Sequence, residues 1–189
     1  MNIESKKDHF LVDGERYAKV TSVIDQFPDW GLVYWFKKTP YEEIQEITKK
    51  AKATGSDIHA MCETILKTGL TEQMKSIPYS PILMGVDEWI KENKVKLIES
   101  ESYAVSTEHK YAGRFDALVE VNGKIALLDF KTSSGTKPYE NHWMQICAYV
   151  YALSETENLK ITELWILILA KGENKLLPYS LPRDQWDRY

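Results

Sequence analysis

The chain has 189 residues, 43% hydrophobic and 28% charged, the balance and size of one ordinary globular domain. Its formal net charge of −4 argues against a protein that holds nucleic acid by a broad basic surface, but not against an enzyme whose acidic site is filled by divalent cations. No apolar run approaches the roughly 18 residues of a membrane span, residues 1–8 lack the apolar stretch of a secretion signal, and the two cysteines, Cys62 and Cys147, stand in no CxxC pair, which rules out a four-thiolate zinc or iron–sulfur centre within one chain. A single disulfide stays open. Buried free thiols in a reducing, cytoplasmic compartment are the expectation.

Residues 9–23 have the pattern of a hairpin: Phe10 and Val12, then Tyr17 and Val20, flank Asp13-Gly14, which supplies the positive φ of a tight turn. Asp29-Trp30-Gly31 opens an aromatic-dense segment, 30–38, that Thr39-Pro40 breaks. Residues 41–67 are predicted helical, as one helix or as two meeting near Thr54-Gly55. Ile58, Met61, Cys62, Ile65 and Leu66 keep the 3.6-residue period there, and Gly69 ends it. A further helix covers 79–94, with Pro81 in its first turn. Residues 97–121 and 124–131 alternate as strands do, 139–153 is helical, and 163–170 pairs with 175–181 across Gly172-Glu173-Asn174. No repeat, low-complexity linker or second domain is visible. The order predicts a single domain over 1–189, of the α/β (α+β) class, around one mixed sheet.

The most informative stretch runs from Gly113 to Lys131, with Asn122-Gly123 between alternating apolar runs, the strongest short-range hairpin signal. A two-residue loop sets Val121 opposite Lys124. Counting outward opposes Val119 to Ala126, Leu118 to Leu127 and Asp116 to Asp129, and Lys131, two residues on, shares their face. Directly opposed carboxylates have Cβ atoms about 4.5–5.5 Å apart, and Leu118 and Leu127 mark the face as buried. A hard divalent cation, Mg²⁺ or Mn²⁺, removes the repulsion and acts as a Lewis acid toward water and phosphate. Lys131 beside it can orient or deprotonate the water. The competing reading is a plain ion-pair cluster, Lys131 and Arg114 offsetting two aspartates on a solvated strand. Register and apolar flanks favour the metal site.

These residues resemble the PD-(D/E)XK nucleases, specifically their RecB-like branch. That branch has an aspartate in one strand, D/E-x-K on the next and a helix bearing Q-x-x-x-Y. Ala112-Gly113-Arg114-Phe115-Asp116 is similar to the first element, Leu128-Asp129-Phe130-Lys131-Thr132-Ser133 to the second, and Gln145-Ile146-Cys147-Ala148-Tyr149 to the third. Upstream, Gly55-Ser56-Asp57-Ile58-His59 with Glu63 looks like the branch's G-x-x-(I/L)-H helix, and the four elements stand in family order. The hairpin ending Val20-Thr21-Ser22-Val23 looks like the start of small phage and mitochondrial-maintenance exonucleases. The resemblance implies a restriction-endonuclease-like core. It makes His59, Asp116 and Asp129 metal ligands with the Phe130 carbonyl, Lys131 the catalytic lysine, and Gln145 and Tyr149 active-site or strand-contact residues. The four cysteines of the branch's iron–sulfur members are missing, so no cluster is expected.

Other residues carry two readings each. His59 beside an apolar stripe is a structural histidine when taken alone, and a ligand when taken with the hairpin and with Gly55, which lets backbone approach closely. Glu63, one turn on, either positions His59 through its second nitrogen or forms a surface i,i+4 pair. Gln145 and Tyr149 are an amphipathic boundary, or contact phosphate and support Lys131. Glu101 is a further ligand or a solvated edge residue. Trp30, Tyr34, Trp35 and Phe36, followed by Lys37-Lys38, are core or a stacking platform for unpaired bases. His109 and His142 receive no assignment.

The readings converge on metal-dependent hydrolysis of DNA phosphodiester bonds. The resemblance to small stand-alone members implies an exonuclease acting on single-stranded or free DNA ends, phage-encoded in a bacterial host. No GxxxxGK[ST] occurs, so no ATP is expected. The alternatives are a structure- or sequence-specific endonuclease and a non-catalytic nucleic-acid-binding module on a decayed nuclease fold. Intact Asp116, Asp129 and Lys131 count against the latter.

Overall fold

The computed structural model describes residues 1–28, 30–156 and 160–189. Two of its turns are dictated locally. Asp13-Gly14 and Asn122-Gly123 take positive φ at both positions (49° and 86°; 49° and 84°), which matches the twist of the flanking strands and which glycine adopts without steric cost. The first joins β2 (His9–Val12) to β3 (Glu15–Lys19), the second β5 (Tyr111–Val121) to β6 (Lys124–Ser133). A short β1 (Ile3–Ser5), not evident in the sequence, extends the first hairpin, and β4 (Lys96–Ser106) lies antiparallel along β5. β7 (Glu163–Ala170) and β8 (Lys175–Pro182) pair antiparallel as expected. Among the described residues eight strands form one sheet in the order β1-β2-β3-β5-β6-β7-β8, with β4 also on β5. It is mixed, β3–β5 and β6–β7 being parallel.

β5 pairs with three strands but has only two edges. β4 occupies one, from Tyr111 opposite Ser106 to Glu120 opposite Lys96. The other is divided: β3 holds its start, at Tyr111 and Ala112, and β6 its end, from Ala117–Leu128 to Val121–Lys124. Among the described residues, 113–116 meet no strand on that edge, while β6 continues along β7 to Ser133. The sheet forks at Asp116. The register is the one the Asn-Gly turn predicts, but the ladder stops one pair short of Asp116 and Asp129, so the two acids are not a laddered cross-strand pair. Alternation breaks there too. Phe115 packs with Leu118 and Leu127, whereas Ala117 packs with Leu128 and Phe130 in a separate core, although strict period two would put residues 115 and 117 together. Across from the break, Glu101 has φ +54° and drops out of the β4–β5 ladder between Ser100–Ala117 and Ser102–Phe115, an irregularity of the kind that re-aims side chains.

Helices close both faces. α1 (Val20–Ile24) and α2 (Trp30–Lys38) lead into α3 (Tyr41–Thr68), which with α4 (Ser80–Glu92) packs Ile58, Cys62, Ile65 and Ile82 against Ala117, Val119 and Leu128. α5 (Glu140–Thr156), the crossover between parallel β6 and β7, packs Ile146, Cys147 and Val150 against Leu127 and Leu164 on the other side. The two cysteines are free and lie in different cores. One expectation changes and one open alternative closes. Residues 20–24 are helix rather than the end of a hairpin, because Val20 and Ile24, four apart, are both buried in the core beneath α5. α3 runs unbroken through Gly55 instead of dividing there. Glycine in a helix interior costs about 1 kcal/mol relative to alanine, and here a Cβ would meet Thr132 Oγ1 at 3.0 Å. Asp29 lies outside the described residues, as does the side chain of Trp30. Among the described residues no helix is long and apolar enough to cross a membrane.

The β4–β5 turn is held from α5. Glu155 accepts hydrogen bonds from Ser106 Oγ (2.5 Å) and from the amides of Thr107 (2.9 Å) and Glu108 (3.2 Å). Burial raises the carboxyl's pKa, but the bonds from Ser106 and the two amides outweigh it and leave the group below the ordinary carboxylate value. A depressed folded-state pKa stabilises the fold above the unfolded value, and that support is lost as pH falls through the folded one. Glu155→Gln is therefore expected to cost about 1 kcal/mol at neutral pH, read from urea midpoints, with the gap from wild type closing once pH drops below about 4.

Candidate active site

With β6 parted from β5, the amide of Phe130 needs an acceptor, and a side chain supplies it: Asp116 Oδ2 accepts the Phe130 N–H at 2.7 Å. His59, carried by α3, brings Nδ1 to 3.6 Å from the same oxygen, beyond hydrogen-bond length, with its ring edge-on to Phe130. Asp129, 4% exposed, has Oδ2 at 2.7 Å from Lys131 Nζ. The angles of that contact fall short of a hydrogen bond, so Oδ2 is a buried acceptor with none, a condition native structures seldom leave unexplained. Lys131 Nζ donates to Gln145 Oε1 at 2.9 Å, and Gln145 Nε2 donates to Tyr149 OH at 2.7 Å. An ammonium can only donate, so the amide orientation is fixed.

The residue that seats this relay has no role evident from the sequence. A Cβ on Gly113 would stand 2.3 Å from Tyr149 Cε1, so the tyrosine occupies the space of the missing side chain. An isolated glycine in a strand pattern is the signal that could have revealed it. On the α3 side a cavity of about 410 Å³ is lined by Gly55, Ser56, His59, Glu63, Glu101, Arg114 and Asp116 among others. Glu101, a third exposed on the edge strand β4, forms an ion pair with Arg114 at 2.9 Å. Glu63 does not orient His59: its carboxylate takes Lys67 at 2.5 Å and Ser100 Oγ at 3.1 Å.

Burial, and next the negative charge of Asp129, push the Asp116 carboxyl up to about 8, with Lys131 and the Phe130 amide pulling the other way and Glu101 adding to the rise. Burial holds His59 below its ordinary value despite Asp129, with Lys131 adding to the fall, which leaves a neutral imidazole. His142, one turn before Gln145, is driven down to about 4 by burial and then by Lys131, so its ring too lies within the field of the site. Among the described residues no three His, Cys, Asp or Glu side chains are gathered as a ready metal cage, because Asp116 is turned to the Phe130 amide and Asp129 to Lys131. The donor chemistry nevertheless fits a hard divalent ion: two carboxylates, a neutral imidazole, a buried oxygen without a hydrogen bond, and a surplus of negative charge that only protonation of Asp116 otherwise relieves.

Residues 69–189 match the PD-(D/E)XK nuclease superfamily. The chain belongs to that superfamily. The mixed sheet with helices on both faces is the restriction-endonuclease-like architecture of these nucleases, which generally use divalent metals such as Mg²⁺ and act on nucleic acid. The matched span contains Asp116, Asp129, Lys131, Gln145 and Tyr149, and α2 and α3, with His59, precede it. Among solved structures that of SSO0001 is similar, at 17% identity and a TM-score of 0.46, over 94% of this chain and 74% of that one. No curated protein matches.

Two outcomes follow for this site. Gly113→Ala is expected to cost about 1–3 kcal/mol by overpacking, and a Tyr149→Ala background should relieve most of that cost in a double-mutant cycle of unfolding free energies. In metal-free protein, the raised pKa of Asp116 means that its burial is harmless while protonated, and that stability is lost as pH rises from about 4 to about 8. Thermal melts in EDTA should fall across that window in wild type and fall less in Asp116→Asn.

Proposed function

We propose that the chain is a Mg²⁺- or Mn²⁺-dependent deoxyribonuclease of the RecB-like branch, residues 1–189 acting as one domain, and that it degrades DNA from single-stranded ends. The observation that supports this best is the connected run from Asp129 through Lys131 and Gln145 to Tyr149, beside an Asp116 whose carboxyl resists ionisation without an added cation. A structural ion pair needs no second acid beside it and no oriented amide behind its lysine.

Asp116, Asp129 and the Phe130 carbonyl, with His59 from α3, are the groups that would hold the ion. When bound, it supplies Lewis-acid charge toward water and the scissile phosphate. The chain's own residues do the rest. Lys131 is steadied by a carboxylate on one side and the Gln145 amide on the other, so its Nζ has a fixed place from which to orient the attacking water and face the charge that builds on the phosphate. Tyr149 keeps the amide oxygen turned toward the lysine. Neutral His59 can offer a lone pair, since burial has already removed its proton. The free thiols and the resemblance to small phage exonucleases support a reducing bacterial cytoplasm as the setting.

The test is cleavage of end-labelled single- and double-stranded DNA, linear and circular, in Mg²⁺, Mn²⁺ or EDTA. Linear single strands should be degraded, circles spared, and EDTA should abolish turnover. Lys131→Ala is expected to lose at least about 10²-fold in kcat while still binding DNA. Cleavage of circles would identify an endonuclease, binding without cleavage by wild type and Asp116→Ala alike would identify an inert module, and full activity of Lys131→Ala would remove the lysine from the mechanism.

A further inference from the structure

α3 carries two depressions on one stripe. At the fork, its contribution to the cavity is Gly55, Ser56, His59, Ala60 and Glu63; nearer its N-terminus, a cavity of about 490 Å³ is lined by Ile44, Gln45, Thr48, Lys49 and Lys52, with Phe36 from α2. Along the helix these positions advance by threes and fours, from Gln45 through Lys52 and His59 and from Lys49 through Ser56 to Glu63, so they share one face of an unbroken helix. From Gln45 to Glu63 that face is about 27 Å long at 1.5 Å per residue. Glu43 and Glu46 fall off it.

This half of α3 serves no core. The buried residues of the helix are Ile58, Cys62 and Ile65, and the α2 side chains from 31 to 38 are all at least partly exposed, Tyr34 at 59% and Phe36 at 47%. Trp35 and Phe36 have ring centroids 5.2 Å apart, and Lys38 Nζ lies 4.4 Å from the Tyr34 ring centroid. Among the described residues none of Lys37, Lys38, Lys49 and Lys52 forms an ion pair, whereas Lys67, Lys75, Lys91 and Lys96 each do. Unpaired lysines beside exposed rings, in a chain of net charge −4, suit an anionic partner with flat apolar faces. The segment also precedes the span matched to the nuclease superfamily.

Building on the nuclease reading above, we infer that this stripe is the track along which one single-stranded DNA chain reaches the fork, with Lys49 and Lys52 against phosphates and Phe36 stacked on an unpaired base. A duplex buries the base faces that such a ring needs. The basic far end draws the strand in, and the acidic near end receives it once a cation is present.

The test is fluorescence anisotropy with a labelled oligothymidylate of about 12 nucleotides, in EDTA so that binding is read without cleavage. Lys49→Ala/Lys52→Ala is expected to weaken binding roughly tenfold at low salt and to flatten the slope of log K against log salt by about 1.4. Phe36→Ala should weaken binding about fivefold or more and leave the slope alone. Lys49→Arg/Lys52→Arg should restore the slope, and Lys75→Ala, paired elsewhere with Glu72, should match wild type. Circular dichroism establishes that α3 persists in each variant. Wild-type affinity in the Lys49/Lys52 and Phe36 variants, or equal losses on blunt duplex DNA, would overturn the track. Stripe-dependent binding by a wild-type protein that cuts nothing in Mg²⁺ would support the track and overturn the enzyme reading; cleavage with stripe variants that bind normally would do the reverse.

Discussion

A strand edge can satisfy one neighbour at a time, and β5 must share one of its edges between β3 and β6. That shared edge is the constraint from which the site grows. Because β3 takes Tyr111 and Ala112, β6 holds β5 only from Ala117 on, and among the described residues the four between have no strand partner there. The polar groups left over by the split are what the site is built from. The Phe130 amide turns to a carboxylate instead of a carbonyl, the phase of side chains slips at Asp116, and Glu101 takes a left-handed conformation across the bend. A regular sheet would have sealed this region with backbone hydrogen bonds and left no opening.

Into that opening the two faces of the sheet each contribute a helix. α3 brings a neutral imidazole and a glycine that fits under Thr132; α5 brings an amide and a phenol that hold a lysine. The electrostatics are unbalanced by design of the burial. Lys131 offsets one acid, and the other is left to hold a proton well above the usual carboxylate range. An apolar substitute would stabilise such a place more readily than a second acid does, so the arrangement makes physical sense as one that waits for positive charge.

Much of this was legible in residues alone. Asn122-Gly123 sets the register of β5 and β6 because a two-residue turn leaves no slack, and the helical period of Ile58, Cys62 and Ile65 marks the face of α3 that is buried. Asp129 and Lys131 share a face as their spacing on one strand implies, and Gln145 and Tyr149 stand behind the lysine where only the family resemblance, not the spacing, pointed. What could not be read depends on contacts far apart in sequence. The β3–β5 pairing that opens the fork is two residue pairs long and joins segments nearly a hundred positions apart. The break in alternation at Asp116 follows from that pairing, so counting back from the turn carried the register correctly and the ladder one step too far. Whether the helix divides at Gly55 stays open in the sequence because a glycine that breaks a helix and one that makes room for a neighbour look alike until the neighbour is known. Glu63 looked like a partner for His59, but Lys67 and Ser100 claim it.

The division of the hydrophobic interior into separate cores on the two sides of the sheet has a consequence for how the molecule matures. His59 belongs to an element packed on one side, Gln145 and Tyr149 to an element packed on the other, and the acids lie on strands between them. A chain with one layer in place would own half of each contact and none of the geometry. Long-range pairings of this kind form late and cooperatively, so competence to cut would arrive only with the last layer, and an unfinished or damaged copy would pose little hazard to the nucleic acid around it.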